Sequence, residues 1–198
     1  DGHGVQLTHG NHTEPTGLYV APDNKHIVHT DMSGRLWLYD TAGKTDRIID
    51  DATKDGTTSY DVAAWSPDGR AFAFVRTRGG NIRRQIALYT LANNKTTWLT
   101  DGEYESYAPQ FSPDGHWLWF LSDRTFSLAN DSPWGDRNLG PVFPKRTGIY
   151  ALALKAEEKF PFQPRTELDG PKPAEPPKTP EKTPKPPAID LAGLPQRL

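Results

Sequence analysis

The architecture of this chain can be inferred from residues 64–74, Ala64-Trp65-Ser66-Pro67-Asp68-Gly69-Arg70-Ala71-Phe72-Ala73-Phe74. The turn at the centre of this stretch, residues 66–70, occurs three times in the chain. The turn recurs as Ala21-Pro22-Asp23-Asn24-Lys25 and as Ser112-Pro113-Asp114-Gly115-His116, so that the prolines are 45 and 46 residues apart. Proline presets φ at the first corner of a turn, and the Asp-Gly or Asp-Asn that follows supplies the positive φ that closes it. Each copy therefore predicts a hairpin between two strands, repeated at a fixed period.

Apolar runs around these turns predict units of four strands. The second strands, 71–75 and 117–121, are apolar at every position, which is typical of strands covered on both faces. Third strands are predicted at 35–40, 85–89 and 148–152, fourth strands at 46–49 and 96–100, and the last strand of a preceding unit at 5–10. Four strands in about 45 residues are the signature of a β-propeller blade, whereas a plain β-sandwich would leave the fixed period unexplained.

We therefore expect an all-β fold, a β-propeller segment of about three four-stranded blades, at residues 1–163. Because a ring needs at least about four blades, this ring is incomplete, and the chain is expected to be a segment of a larger protein. Residues 164–188 hold nine prolines with mixed charge, which predicts a disordered, extended linker; a ligand for a proline-binding module is the rival interpretation. Residues 189–198 turn apolar again and are expected to begin the next structural element.

The composition excludes several functional classes. A net charge of -2 provides no basic field for nucleic acid or for an anionic membrane. The sequence also contains no run of about 18 apolar residues, the length that a membrane-spanning helix needs. The chain has no cysteine, which excludes disulfides and thiolate zinc sites. His3, His9 and His12 lie close together in sequence but lack carboxylate partners at a set spacing, so we predict no metal and no cofactor.

The residues that could catalyse a reaction have simpler interpretations. Ser66 and Ser112 stand beside Asp68 and Asp114 but without a positioned base, so they are expected to cap turns. The carboxylates of residues 50, 51 and 55 could form an acid–base pair, but their Thr- and Gly-rich surroundings indicate a solvated loop. We predict no catalytic residue in this chain.

The long connection 124–147 is the best functional candidate. The spacing from the turn proline to the tyrosine of the third strand is 17 and 22 residues in the first two units (22 to 39, 67 to 89) and 37 here (113 to 150). Loops this long commonly bind ligands, although packing against a neighbouring domain or subunit is the rival interpretation. Aromatic stacking and charge-assisted bonds to carboxylates predict peptide contacts at Arg124, Trp134, Arg137, Lys145 and Arg146. Arg83 and Arg84 form a smaller candidate pair, unless they lie on a solvated hairpin.

The repeated turn resembles the Trp/Phe-Ser-Pro-Asp-Gly blades shared by TolB-like translocation proteins, prolyl-oligopeptidase-type propellers and tricorn peptidases. Residues 60–70, 109–126 and 149–155 resemble consecutive blades of the second propeller in tricorn-protease homologues. The order of blade, long insertion, Pro-Phe spacer at 161–164 and Ile-Asp-Leu at 189–191 is similar to that family too. Two residues depart from its pattern, His29 at a core-like position and Asn24 where the turn usually has glycine.

The tricorn resemblance implies a non-catalytic propeller that channels or gates oligopeptides in a large serine endopeptidase. The implied partners are peptide substrates, PDZ and peptidase domains of the same chain, and further copies in a hexamer; the implied catalytic residues lie C-terminal to this chain. The resemblance favours the cytoplasm and leaves the periplasm open. A TolB-like protein-binding adaptor and the propeller cap of a prolyl-oligopeptidase-type enzyme remain open as alternatives.

Overall fold

The computed structural model describes residues 3–7, 13–126, 143, 145–164 and 188–197. Within these residues, eleven strands form three antiparallel sheets, and short 3-10 helices lie at Ala52–Asp55 and Leu194–Arg197. The first sheet contains β1 (Pro15–Val20), β2 (His26–Asp31), β3 (Arg35–Asp40) and β4 (Thr45–Asp51). The second contains β5 (Asp61–Trp65), β6 (Ala71–Arg76), β7 (Gln85–Thr90) and β8 (Lys95–Trp98). The third contains β9 (Ser106–Phe111), β10 (Trp117–Asp123) and β11 (Thr147–Ala153).

Each sheet is an up-and-down meander in which strands pair in chain order, and none of the sheets closes on itself. This confirms the predicted all-β segment of three blade-like units. Two details differ from the prediction: the third sheet has three strands among the described residues, and residues 5–7 of the predicted opening strand lie outside any strand. The remainder of that predicted strand, residues 8–10, lies outside the described residues.

The three Pro-Asp turns join β1 to β2, β5 to β6 and β9 to β10, as predicted. In each turn the residue before proline donates its N–H across the hairpin. Its carbonyl accepts a bond from the N–H of the third residue counted from the proline, and the N···O distances of both bonds are 2.8–2.9 Å. That third residue has a positive φ in every copy, 56° at Asn24, 68° at Gly69 and 73° at Gly115. Asparagine tolerates this conformation better than other side chains do, so the departure at Asn24 preserves the turn.

The second sheet packs against both of its neighbours. Residues of β6 and β7 alternate between two apolar clusters, and every residue of these two strands is buried. The cluster shared with the first sheet contains Phe72, Phe74, Ala87 and Tyr89 together with Val28, Leu36 and Leu38. The cluster shared with the third sheet contains Ala71, Ala73, Val75, Ile86 and Leu88 together with Leu118, Phe120 and Leu152. The prediction of strands covered on both faces is therefore confirmed for β6.

The outer faces of the first and third sheets expose apolar side chains. Leu18 on the first sheet is 69% exposed, and Ile149 on the third is 76% exposed. On the first outer face, His29 is buried because its ring stacks on Trp37 and its Nε2 lies 3.0 Å from an Asp46 carboxylate oxygen. These contacts accommodate the histidine that departs from the family pattern.

The chain returns to the sheets after the proline-rich segment. The Asp190 N–H donates to the Leu154 carbonyl over 2.8 Å, so that Asp190 lies beside the end of β11. Leu194 is fully buried in the cluster between the second and third sheets, against which Ile189 and Leu191 also pack. Most of the predicted linker, residues 165–187, lies outside the described residues. Its disorder, and the assignment of 189–198 to a next element, stay predictions.

In the part of the chain that the structure describes, no helix has the length and apolar character that crossing a membrane requires.

Candidate functional site

One edge of the three sheets carries every connection that leads from a second strand to a third, and from one sheet to the next. Because the strands alternate in direction, the connections 32–34, 52–60, 77–84 and 99–105 and the two described ends of the 124–146 connection share this edge, and the Pro-Asp turns lie at the opposite one. We call it the loop edge. It holds all the described side chains that the sequence selected as contacts.

A cleft of about 440 Å³ opens at the loop edge between the second and third sheets. Its lining residues are Arg83, Arg84, Glu103, Tyr104, Glu105, Tyr107, Asp123, Phe126 and Arg146. The fold therefore brings the predicted pair Arg83 and Arg84 beside Arg146 of the long connection. The lining residues between 103 and 107 were not predicted, because they belong to a short connection and to β9.

Arg84 forms a wall of this cleft. Its guanidinium binds the carboxylates of Asp61 and Glu105, and it lies 4.6 Å from the centre of the Tyr107 ring. The hydrogen bond that Arg84 donates to Glu105 raises the pKa of Arg84, burial opposes this effect, and the bond that it donates to Asp61 adds to it. The side chain of Arg84 is 38% exposed, and its Nε and Nη1 donate to two carboxylates. Arg83 is exposed.

The two ends of the long connection are joined at the rim of the cleft. Arg146 Nε lies 3.2 Å from an Asp123 carboxylate oxygen, and the Thr147 hydroxyl donates to the other oxygen over 2.6 Å. Phe126 is 61% exposed and stands edge-on to Phe143, with ring centres 5.7 Å apart. This rim presents an aromatic surface beside an ion pair in which the arginine side chain is 65% exposed and the aspartate is largely buried.

Arg124 lies in an adjoining smaller cleft of about 220 Å³, which shares Glu103 and Tyr104 with the first. Its guanidinium carbon is 5.3 Å from the Tyr104 ring centre and 5.1 Å from that of Tyr150. Its Nε donates to the Ser122 hydroxyl over 3.0 Å. The side chain is therefore held between two rings by a directional bond.

The other predicted contact residues do not line these clefts in the described structure. Lys145 is exposed and lies outside the lining of both clefts. Trp134 and Arg137 lie outside the described residues. Their predicted contacts with peptide stay predictions.

Comparison with known proteins agrees with the architecture. No family model matches the chain. A putative tricorn-like protease C-terminal subunit of Sulfurisphaera tokodaii is 31% identical over 114 residues, which cover 58% of this chain and 13% of that protein. A tricorn protease homolog of Saccharolobus solfataricus is 29% identical over 112 residues, 57% of this chain and 10% of that protein. Tricorn protease homolog 1 of Streptomyces coelicolor is 29% identical over 148 residues, 75% of this chain and 13% of that protein.

The fold agrees with these relatives. The crystal structure of the tricorn protease superposes on 78% of this chain, and on 15% of its own, with a TM-score of 0.64 and 18% identity. The chain resembles a segment of tricorn-like proteases in sequence and part of the tricorn protease in fold. It matches only 10–13% of the length of these curated relatives, so the activity of a whole protein is a matter for proposal.

A second charged cluster joins the first two sheets at the loop edge. Arg76, at the end of β6, is 5% exposed and binds the carboxylates of Asp50 and Asp55, each over 2.6 Å. The Tyr60 hydroxyl donates to Asp50 over 2.8 Å, and the Trp98 ring centre lies 4.8 Å from the guanidinium. Burial followed by the Asp50 charge raises the pKa of Tyr60 far above its ordinary value, and the bond from Arg76 lowers the pKa of Asp55.

The sequence interpretation of residues 50, 51 and 55 as a solvated loop is therefore wrong for Asp50 and Asp55. Their cationic partner Arg76 is 26 and 21 residues away in sequence, and only the packing of the first two sheets brings it close. Asp51 has a local role, because its carboxylate accepts a bond from the Thr53 N–H at the start of the 3-10 helix.

The turn serines are used in the hairpins, as predicted. The Ser66 hydroxyl donates to Asp68 over 2.7 Å and accepts from the Ala71 N–H over 2.9 Å. Ser112 makes the equivalent bonds to Asp114 and from the Trp117 N–H. Within the described ranges, no group of three or more His, Asp or Glu side chains is placed to hold a metal ion.

Proposed function

We propose that this tricorn-like segment is a non-catalytic part of a serine endopeptidase, in which its loop edge guides oligopeptides as a channel or gate. The observation that carries the proposal is the cleft of about 440 Å³ between the second and third sheets. A cleft of this size is in the range that accommodates small ligands, which matches a few residues of a peptide. The peptidase activity itself is inferred from the names of the relatives, which are proteases.

The chemistry of the cleft suits a peptide of variable sequence. Tyr104 and the exposed ring of Phe126 offer apolar and stacking contacts, while Arg83 and Glu103 present both signs of charge in exposed positions. Arg84 contributes rigidity, since its ion pairs and its contact with Tyr107 link β5, the 77–84 connection and β9. A preorganised wall with an adaptable rim supports weak, repeated contacts, which passage of many different peptides requires.

The same proposal assigns occupants to the open faces of the segment. We infer that further blades of one ring cover the outer faces at Leu18 and Ile149, which would otherwise expose large apolar side chains. PDZ and peptidase domains in the parent chain, assembly into a hexamer and a cytoplasmic location belong to this proposal as well, and they derive from the resemblance to tricorn proteases.

Peptide hydrolysis by the intact protein that contains this chain tests the proposal. We would compare fluorogenic peptides of two lengths, using Arg83→Glu and Phe126→Ala at the cleft and Lys95→Glu as the control on an exposed residue at the opposite edge. If the cleft guides substrate, the cleft variants lower kcat/KM for long peptides by up to about tenfold, and short peptides and the control are unaffected.

Two results would count against this function. If the cleft variants hydrolyse both the long and the short peptides at the rates of the native protein, the cleft is a packing surface and not a path for substrate. An intact protein without peptidase activity would contradict the peptidase assignment and favour a binding adaptor.

A further inference from the structure

We propose that Arg124 is an anion-binding residue that takes one carboxylate group of a peptide in the smaller cleft beside Tyr104. This inference rests on the proposed function, because a guided peptide would supply the carboxylate. It goes further by naming the group that is recognised and the residue that recognises it.

The guanidinium of Arg124 is oriented before any ligand arrives. The Tyr104 and Tyr150 rings lie within 5.3 Å and 5.1 Å of it, and its Nε is used by the Ser122 hydroxyl. Ser122 is itself fully buried, and its hydroxyl donates to the Glu105 carbonyl over 2.8 Å. A side chain held in this way loses little conformational entropy on binding, and its terminal N–H groups remain arranged as a planar fork.

Among the described residues, the lack of a carboxylate partner separates Arg124 from three other arginines of the loop edge. Arg76, Arg84 and Arg146 each bind at least one carboxylate. Among the described residues, Arg124 forms no ion pair with a carboxylate, although it is partly buried. A partly desolvated cation without a counter-ion is unfavourable, and a carboxylate that accepts from its two terminal nitrogens removes this cost.

The surroundings favour a single carboxylate over a phosphate or a nucleic acid. Asp101 and Glu103 also line the smaller cleft, and their negative charges weaken the binding of any anion, but far more for a ligand with several negative groups than for one carboxylate held directly by Arg124. They would attract an ammonium or guanidinium group carried by the same peptide. Leu99 and Pro195 complete the lining with apolar surface, which suits the body of an amino-acid residue.

Calorimetric titration of the intact protein tests this site with three defined peptides. The first is an N-acetylated tripeptide with a free C-terminal carboxylate, the second is its C-terminal amide, and the third is an amidated peptide with one glutamate side chain. We expect the native protein to bind a carboxylate-bearing peptide about tenfold or more tighter than the uncharged amide. Preference for the first peptide identifies a chain terminus as the source of the carboxylate, and preference for the third identifies a side chain. Equal binding of the first and third shows that the site takes either carboxylate.

Variants of Arg124 separate this role from a structural one. Arg124→Gln should remove the preference for carboxylate, and Arg124→Lys should retain part of it, because a lysine keeps the charge without the planar fork. The matched control is Arg47→Gln, since Arg47 also lies over a tyrosine ring, 5.8 Å from the centre of Tyr89, but near the opposite edge. This control should bind the peptides as the native protein does.

Three outcomes would overturn the inference: equal affinity of the native protein for acid and amide, a preference that persists in a folded Arg124→Gln variant, or displacement of the peptide by inorganic phosphate at equal concentration. Peptide hydrolysis keeps the two proposals separate. An active peptidase without carboxylate preference contradicts only the role of Arg124, whereas carboxylate preference in a protein that hydrolyses no peptide contradicts only the proposed function.

Discussion

Asp31 shows how a single buried carboxylate organises the end of a strand. It accepts bonds from the Trp37 indole N–H over 2.8 Å and from the Ser33 hydroxyl over 2.9 Å. The Arg35 N–H and the Thr13 hydroxyl each add a bond of 3.1 Å. Burial raises the pKa of Asp31, but these four bonds together outweigh burial, so its pKa lies below the ordinary value. The charged carboxylate therefore contributes to the stability of the first sheet.

This contribution has a defined pH dependence. Because the folded pKa of Asp31 is lowered, the stabilisation is present above the unfolded pKa of about 3.9 and is lost as the pH falls through the folded value. Asp31→Asn should cost about 1–3 kcal/mol of unfolding free energy at pH 7, since an amide places donors against donors. Urea unfolding of the chain between pH 7 and pH 2 checks both points. A variant that loses as much stability in acid as the native chain would contradict them.

Arg76 is the residue whose loss should cost most at the loop edge. Arg76→Leu leaves Asp50 and Asp55 partly buried without their cation, which should lower the unfolding free energy by about 3–5 kcal/mol. Arg70→Leu is the matched control, because the side chain of Arg70 is 46% exposed in its pair with Asp68 and should contribute at most about 1 kcal/mol. Urea unfolding measures both variants, and similar losses would show that burial does not distinguish the two ion pairs.

At the scale of single elements, the Pro-Asp turns could be predicted because all of their determinants are local. The proline, the aspartate and the residue with positive φ follow one another, and the serine caps its own hairpin. The turns at Pro67 and Pro113 therefore needed no tertiary information. The apolar character of β6 was equally readable, since every position is hydrophobic from Ala71 to Val75.

The clefts were predictable only in part, because their geometry depends on contacts between sheets. Arg84 and Arg124 were selected from sequence, but Tyr104 and Glu105, which orient them, come from another segment. The same reason explains the error at Asp50, whose partner Arg76 lies on a different sheet. Local patterns do not record which carboxylate meets which cation across two packed sheets.

The turn that closes with Gly115 offers a test at this scale. Its φ of 73° should make Gly115→Ala cost about 1–2 kcal/mol of unfolding free energy. Gly115→Asn should cost less, because Asn24 occupies the equivalent position with a φ of 56°. Thermal or urea unfolding of the two variants gives the comparison, and an asparagine variant less stable than the alanine variant would refute the argument.

For the whole molecule, the open outer faces have a consequence for the chain expressed alone. We expect it to self-associate through the faces that expose Leu18 and Ile149, with sedimentation coefficients that rise with concentration. The double variant Leu18→Lys with Ile149→Lys should shift the chain toward monomer. Ile82→Lys is the control, because Ile82 is 88% exposed but lies in the 77–84 connection, and it should leave association unchanged. Association unaffected by the double variant would place the contact elsewhere.

The two faces of the second sheet are unlike, and this gives the row of sheets a direction. On β6, Phe72 and Phe74 face one interface with aromatic rings, while the smaller Ala71, Ala73 and Val75 face the other. Because close packing requires complementary shapes, each side of this sheet fits a different neighbouring sheet. Shifting β6 by one residue would exchange its bulky and thin sides. Duplication or transplantation would therefore have to copy a unit whole, with both of its packing sides intact.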